Sequence, residues 1–306
     1  MDASLYRYST HHRASDRCIS YISAPIRPEF HACWYPMKPY YSAIICDLDG
    51  TVYRGGKPLP GAIEALARLR EINVRVLFVS NNPTRTASSY ALRLSDLGLP
   101  TAAEEVLTSG LVVADWLCTE AAHARVFLVG ESSLNAALTR QGVTLVERGR
   151  DAEVVVVSFD RTFDYHKWRE AFDAVRRGAV FVATNPDMTC PIDNGEVPDC
   201  GGIIAAIEAT TGRSPDFIIG KPSSIMAQAA MQRLQSPAHE TLVVGDRLET
   251  DVRLGVSNGF HTALVLTGVS SRDDVSGAQD QPTYVLHGLA DLPSVVVDGA
   301  PFARCP

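Results

Sequence analysis

The sequence lacks the features typical of secreted, membrane-spanning and nucleic-acid-binding proteins. No apolar run in its 306 residues reaches the roughly 18 residues that a membrane-spanning helix needs. The start has no continuous apolar segment of the kind found in secretory signals. The net charge of −7 gives no general excess of Lys and Arg for binding a phosphate backbone. We therefore expect a soluble, cytoplasmic protein that binds neither membranes nor nucleic acids.

The sequence also lacks paired cysteines. Its seven cysteines are an odd, scattered set without a C-x-x-C pair, which argues against both a disulfide framework and a zinc site. This agrees with a reducing cytoplasm. By contrast, 46% of the residues are hydrophobic, which is enough for a large buried core.

Residues 1–40 differ from the rest of the chain. They are rich in Tyr, His, Arg and Pro and have neither a helical nor a strand period, so we predict a disordered N-terminal extension outside the fold. Met37 lies just before the first convincing strand. We therefore hypothesise that the natural start is Met37 and that the preceding residues are an artefact of gene prediction.

From Ser42 onward, short apolar runs alternate with amphipathic segments. The pattern predicts strand, helix, strand, helix over Ala43–Cys46, Ala62–Glu71, Val74–Val79 and Ala87–Leu97. These apolar runs lack polar alternation, as expected of parallel strands covered on both faces. The sequence thus predicts an α/β fold with a doubly wound parallel sheet.

Further apolar runs exceed what one small sheet can hold. They predict strands at Val126–Val129, Val154–Ser158, Val180–Thr184, Phe217–Ile219, Thr241–Val244 and Thr262–Leu266. A segment rich in Pro, Gly and Asp, Thr189–Gly202, separates the middle strands from a helix predicted at Ile203–Thr210. This organisation indicates a second, inserted domain.

Polar side chains follow several of the predicted strands. Asp47 and Asp49 come directly after the first strand, and open α/β sheets bind ligands at the carboxyl ends of their strands. Two carboxylates at i and i+2 suit a hard cation such as Mg²⁺, and Gly50 permits a sharp turn. An acidic turn or a helix cap would explain the pair if it stood alone.

Three more polar clusters follow other apolar strands in the same way: Ser80-Asn81-Asn82, Gly220-Lys221, and Gly245 through Asp251 with Asp246. Each has an ordinary explanation as a turn, a solvated lysine or a helix cap. In one parallel sheet, however, four such clusters would converge on one edge. Together they supply the nucleophile, the metal ligands and the fixed positive charge that phosphoryl transfer requires.

These four motifs resemble those of the haloacid dehalogenase superfamily, over roughly Ser42–Leu292. More narrowly, Ser80–Arg85, Thr184–Asp187 and Leu266–Val269 resemble its NagD-like subclass of phosphoglycolate and nitrophenyl phosphatases. The resemblance implies a Rossmann-like core with an inserted α/β cap domain. It also implies a phosphomonoesterase that acts on a small phosphorylated metabolite.

The resemblance assigns roles to the acidic residues. Asp47 would attack phosphorus and form an aspartyl-phosphate, and Asp49 would act as general acid and then as general base. Mg²⁺ would be bound by Asp47, Asp246 and the backbone carbonyl of Asp49. Asp251 would support these ligands indirectly or through a water molecule.

The resemblance also implies a phosphate site and a division into domains. Ser80, Asn81, Asn82 and Lys221 would bind the phosphate oxygens. The catalytic core would comprise residues 41–122 and 216–300, and the cap residues 123–215. From the loop 184–191 of the cap, Asn185 and Cys190 would contact the substrate. A homodimer through the cap is also expected.

Other functions fit the residues less well. A cysteine phosphatase needs C-x5-R, whereas seven residues separate Cys46 from Arg54, so Cys46 is expected to be a buried strand residue. A P-loop enzyme needs Ser or Thr where Pro222 stands.

A non-catalytic protein that binds phospho-ligands and retains the fold is an alternative from another class, as are phosphotransfer and phosphonate cleavage within the superfamily. The sequence does not choose among phosphoglycolate, glycerol phosphate, nucleotides, pyridoxal phosphate and sugar phosphates.

Overall fold

The computed structural model describes residues 39–192 and 195–298. The predicted disordered extension at residues 1–40, apart from its last two residues, and the predicted start at Met37 lie outside these ranges. Within them, no helix is both long and apolar enough to cross a membrane.

The strands and helices alternate along most of the chain. The strands are β1 Ala43–Cys46, β2 Tyr53–Arg54, β3 Lys57–Pro58, β4 Arg75–Ser80, β5 Val106–Thr108, β6 Arg125–Val129, β7 Thr144–Leu145, β8 Val154–Val157, β9 Val180–Ala183, β10 Thr189–Ile192, β11 Gly195–Pro198, β12 Phe217–Ile218, β13 Thr241–Gly245, β14 His261–Val265 and β15 Tyr284–Leu286. The helices are α1 Ala62–Glu71, α2 Ala87–Asp96, α3 Ser109–Glu120, α4 Ser132–Arg140, α5 Tyr165–Arg176, α6 Cys200–Thr211, α7 Ser224–Leu234, α8 Arg253–Ser257, α9 Arg272–Gly277 and α10 Leu292–Asp298.

Six strands form a parallel sheet in the order β15-β14-β13-β1-β4-β5. Successive residues of β1 enter opposite hydrophobic clusters. Ile44 and Cys46 pack with α1, α2 and α10, whereas Ala43 and Ile45 pack with α3 and α7. All four residues are buried, which explains why β1 shows no polar alternation. The predicted doubly wound parallel sheet is confirmed.

A second parallel sheet has the order β12-β9-β8-β6-β7 and lies, in sequence, between β5 and β13. One of its faces packs against α5 and α6. Val126, Val154 and Val156 on its other face belong to the same hydrophobic cluster as Ile45 of the first sheet. The structure therefore confirms an inserted α/β cap and shows that it shares apolar contacts with the core.

The strand before Lys221 does not lie where the sequence analysis placed it. β12 pairs with β9, so Lys221 follows a strand of the second sheet, and the expectation that all four polar clusters end strands of one sheet is wrong for this cluster. The pairing also extends to Ile218, beyond the predicted cap boundary at residue 215. Lys221 still reaches the first sheet because its backbone N–H donates to Asn81 Oδ1 at 2.8 Å.

The segment predicted only as a separator, residues 189–202, has regular structure. β10 and β11 form an antiparallel hairpin, and α6 begins at Cys200 rather than at the predicted Ile203. The Asp199 side chain accepts a hydrogen bond from the Cys200 backbone N–H and caps this helix. The hairpin extends from the cap towards the carboxyl end of β1, where it lines the cavity described below.

Candidate active site

Asp47 and Asp49 lie at the carboxyl end of β1, as predicted. The Asp47 backbone N–H donates to the Val244 carbonyl at 2.9 Å and continues the pairing with β13. The chain then turns at Gly50, whose φ is +90°. A Cβ at this position would lie 2.5 Å from Asp246 Oδ2, so both the backbone angle and the close carboxylate require glycine.

Lys221 joins two of the carboxylates. Its Nζ lies 2.6 Å from Asp47 Oδ1 and 2.6 Å from Asp251 Oδ1, and the residue is only 3% exposed. Burial alone would lower the pKa of Lys221, but Asp251 and Asp47 outweigh it and raise that pKa above its ordinary value. Lys221 is therefore a fixed positive charge beside Asp47.

Asp47, Asp246 and Asp251 form a cluster that could hold a metal ion. They offer carboxylate oxygens that lie within 4.8 Å of one another. Asp47 Oδ2 is buried and has no hydrogen-bond partner among the described residues. An unpartnered buried oxygen beside two further carboxylates matches the hard, oxygen-rich environment that Mg²⁺ prefers. The residues present therefore fit a divalent cation.

The carboxylates of this cluster disfavour one another's charge. Burial, followed by the charges of Asp47 and Asp251, raises the pKa of Asp246 to about 8. Burial likewise raises the pKa of Asp251 to about 6, although Lys221 acts in the opposite direction. One lysine thus leaves an excess of negative charge, which a cation would neutralise.

Asp246 is held in place by the loop after β14. Its Oδ2 accepts a hydrogen bond of 2.7 Å from the Val269 backbone N–H. A Cβ on Gly268 would lie 1.8 Å from the same oxygen, so glycine is required there for the loop to approach the carboxylate. The Leu266–Val269 run singled out in the sequence therefore contributes to the acidic cluster.

Asp49 lies where two cavities meet and lines both of them. Burial is the main reason that its pKa rises to about 6, and the neighbouring Asp47 adds to the shift. A carboxyl group with such a pKa can both donate and accept a proton near neutral pH. Its place and its pKa agree with the predicted proton-transfer role.

Ser80 and Asn82 line the first cavity together with Asp47 and Lys221. Ser80 Oγ accepts a hydrogen bond from the Asn82 backbone N–H at 3.1 Å. Asn82 Oδ1 accepts bonds from the backbone N–H and the hydroxyl of Thr84, so its amide nitrogen points away from that turn. Ser80 and Asn82 thus lie in the same cavity as Asp47, and their role as phosphate ligands stays a prediction.

Asn81 also lines the first cavity, but its carboxamide is engaged in contacts within the protein. Its Nδ2 donates to Asp187 Oδ2 at 2.8 Å and to the Lys221 carbonyl at 3.0 Å, while its Oδ1 accepts the Lys221 N–H. Both N–H groups of the carboxamide are therefore occupied. The Asn81 carboxamide therefore positions Lys221, whereas its role as a phosphate ligand stays a prediction.

The two predicted cap contacts have different outcomes. Cys190 lines both cavities, and its Sγ lies 3.5 Å from Asn82 Nδ2. Asn185 is fully buried, does not line either cavity, and donates to Asp187 and Asp199. Asn185 therefore links Asp187 and Asp199, the residues on either side of the hairpin. Its position does not support the prediction of a direct substrate contact.

Arg247 and Asp187 are site residues that the sequence analysis missed. Arg247 Nη2 donates to the Thr189 carbonyl of the cap hairpin at 3.0 Å, and Nη1 lies 3.8 Å from Asp187 Oδ1. The signal in the sequence is the position of Arg247 directly after Asp246 in the fourth motif. Together with Asn81, it connects the core to the cap over the cavity.

Cys46, which the sequence suggested as a buried strand residue, is completely buried in β1. Burial raises the pKa of its thiol well above the ordinary value, and the adjacent Asp47 adds to this effect. A thiol so protonated is a poor nucleophile, which agrees with the rejection of a cysteine phosphatase.

Comparisons with known proteins agree with this geometry. The model of the haloacid dehalogenase-like hydrolases matches residues 44–144, and an HAD-hydrolase-like model matches residues 218–292. The 5'-nucleotidase YutF of Bacillus subtilis is 35% identical over 255 residues, which cover 83% of this chain and 98% of YutF. The chain belongs to the haloacid dehalogenase superfamily.

Solved structures of this superfamily have the same fold. The 4-nitrophenylphosphatase of Thermotoga maritima is 36% identical with a TM-score of 0.79, and the match covers 84% of this chain and 98% of that one. The glycerol phosphate phosphatase Rv1692 of Mycobacterium tuberculosis, solved in complex with magnesium, is 35% identical with a TM-score of 0.78 and coverages of 86% and 80%. The predicted superfamily and NagD-like subclass are confirmed, and the chain is a phosphatase.

Proposed function

We propose that this phosphatase is a Mg²⁺-dependent phosphomonoesterase that hydrolyses a small phosphorylated metabolite through an aspartyl-phosphate on Asp47. The observation that carries the proposal is the environment of Asp47. One of its oxygens is bonded to Lys221, and the other is buried without a partner inside the cluster that also contains Asp246 and Asp251. The Asp47 carboxylate, the proposed nucleophile, thus lies beside both a fixed positive charge and a candidate cation site.

In the first step, an Asp47 oxygen forms a bond to phosphorus while the bond from phosphorus to the leaving oxygen breaks. Asp49 donates its proton to that leaving oxygen. Lys221 and the Ser80 and Asn82 side chains stabilise the charge on the transferring group. In the second step, Asp49 takes a proton from water and the water oxygen bonds to phosphorus while the bond from phosphorus to the Asp47 oxygen breaks, which releases phosphate and regenerates the Asp47 carboxylate.

Asp47, Asp246 and the Asp49 carbonyl would hold Mg²⁺, and the position of Asp251 in the cluster supports its assignment as a further group at this site. When bound, the ion would supply charge neutralisation for the phosphate. The magnesium in the Rv1692 structure supports this proposal. A cytoplasmic location and a homodimer through the cap remain predictions.

The first test is phosphate release by the purified protein. With Mg²⁺ we expect turnover of nitrophenyl phosphate and of at least one compound in a panel of phosphoglycolate, glycerol phosphate, pyridoxal phosphate, nucleoside monophosphates and sugar phosphates. EDTA should abolish the activity, and added Mg²⁺ should restore it. No turnover of any compound would refute the proposed esterase.

The matched variant is Asp47→Asn, which keeps the size of the side chain but removes the nucleophilic carboxylate. We expect turnover to fall by at least about 10³-fold with the circular dichroism spectrum unchanged. Asp115→Asn, an exposed position on α3, serves as the control and should retain full activity. A folded and active Asp47→Asn protein would rule out Asp47 as the nucleophile.

A further inference from the structure

A second cavity, of about 790 Å³, adjoins the proposed catalytic site. It shares Asp49, Asn82, Cys190 and Pro191 with the first cavity. The general acid must reach the leaving oxygen, and Asp49 lines both cavities, so the second cavity offers space for the part of the substrate beyond that oxygen. Its lining therefore bears on the chemistry of the leaving group.

Three arginines line this cavity: Arg85 and Arg93 come from the core and Arg161 from the cap. The charge of Arg161 is already compensated, because its Nε and Nη2 donate to the two carboxylate oxygens of Glu131 at 2.6 and 2.7 Å. A bidentate pair of this kind leaves little attraction for a further anion.

Arg85 and Arg93 are different. Among the described residues, neither has a carboxylate within the 4.0 Å of an ion pair. The Arg93 guanidinium lies 4.1 Å from the centre of the Tyr53 ring, a cation–π contact that orients it without neutralising it. The acidic residues of the cavity lining are Asp49 and the exposed Asp96, and neither forms an ion pair with Arg85 or Arg93.

We propose that the leaving group of the natural substrate carries an anionic group of its own, a carboxylate or a second phosphate, and that Arg85 and Arg93 bind it. This inference rests on the proposed function, because it assumes that a phosphate ester is cleaved beside Asp47. Guanidinium groups bind carboxylate and phosphate through charge-assisted hydrogen bonds. A neutral sugar or nucleoside offers neither arginine an ion-pair partner.

The test compares substrates that differ in this second group alone. Phosphoglycolate carries a carboxylate and ethane-1,2-diol bisphosphate a second phosphate, whereas 2-hydroxyethyl phosphate is the neutral counterpart of both. We expect kcat/KM for at least one anionic substrate to exceed that of the neutral one by about tenfold or more. The larger of the two ratios identifies the anionic group.

Variants then assign the preference to residues. Arg85→Gln and Arg93→Gln should each lower the ratio of anionic to neutral kcat/KM by about tenfold. Arg177→Gln removes the same charge from an exposed position that lines neither cavity, and it should leave the ratio and the activity unchanged.

A wild-type ratio near one, or a preference that both arginine variants retain, would overturn the inference. In either case hydrolysis of 2-hydroxyethyl phosphate or nitrophenyl phosphate would show that the proposed phosphomonoesterase stands. Absence of hydrolysis of every compound would instead refute the proposed function itself.

Discussion

At the scale of single residues, neighbouring acids with the same side chain have different environments. Asp47 Oδ1 forms an ion pair with Lys221. Asp49 lies at the junction of the two cavities, and burial is the main reason that its pKa is raised to about 6. Two identical carboxyl groups two residues apart can therefore perform different chemistry, one as nucleophile and the other in proton transfer.

The division of roles predicts the behaviour of Asp49→Asn. The variant cannot protonate an alkoxide, so we expect turnover of alkyl phosphates to fall by about 10²- to 10⁴-fold. Nitrophenolate is a good leaving group and needs no proton, so the first step should persist with nitrophenyl phosphate. The second step, which needs a base, should be slow.

Stopped-flow absorbance tests this prediction directly. Asp49→Asn should release a burst of about one nitrophenolate per active site, followed by slow turnover, whereas the wild type should show steady release. Unchanged turnover of both substrate types in the variant would contradict the role of Asp49.

At the scale of elements, the carboxyl end of β4 and the loop after β12 are held together by one side chain. Asn81 makes two hydrogen bonds to the backbone of Lys221 and one to Asp187. Because β4 belongs to the core sheet and β12 to the cap sheet, Asn81 fixes the position of Lys221 across the boundary between them.

We therefore expect Asn81→Ala to lower the free energy of unfolding by about 2–4 kcal/mol, since it leaves buried backbone groups without partners. Urea denaturation measures this change. Asn135→Ala, at an exposed position on α4, should change the stability by less than about 0.5 kcal/mol. Equal stability of the two variants would show that the Asn81 bonds do not hold the loop.

Much of the element pattern could be predicted from the sequence. The limits predicted for α1 agree with the structure, and β1 was identified from an apolar run with no polar alternation. The hairpin of β10 and β11 could not be found in this way, because its residues are partly or fully exposed and its sequence contains Pro and Gly. The hydrophobic pattern of a sequence indicates which residues are buried, and few residues of this hairpin are buried.

At the scale of the whole molecule, the motifs predicted which residues lie close together but not which sheet carries each of them. Lys221 follows a strand of the cap sheet and contacts Asp47 of the core. The sequence could not predict this, because a two-residue strand gives no signal for which of two sheets it joins. Likewise, Asn81 and Asn82 have the same side chain and both line the first cavity, and only the tertiary contacts show that the Asn81 carboxamide bonds to the backbone of Lys221. Pairing across long sequence separations decides these points.

The shared hydrophobic cluster also belongs to this scale. Side chains from both sheets contribute to it, and Arg247 and Asn81 add polar contacts between the core and the cap hairpin. The first cavity is accordingly lined by residues of both parts, among them Asp47 from the core and Cys190 from the cap. Neither part contains the whole site.

The central claim is that Asp47 becomes phosphorylated during turnover, and chemical trapping tests it most directly. The Asp49→Asn enzyme would be mixed with nitrophenyl phosphate, quenched after the burst and reduced with borohydride, which converts an aspartyl-phosphate into homoserine. Mass spectrometry of the peptides then locates the modified residue. We predict homoserine at position 47, dependent on substrate and absent from an Asp47→Asn/Asp49→Asn double variant. Modification of a different residue, or a burst without any modification at position 47, would contradict the claim.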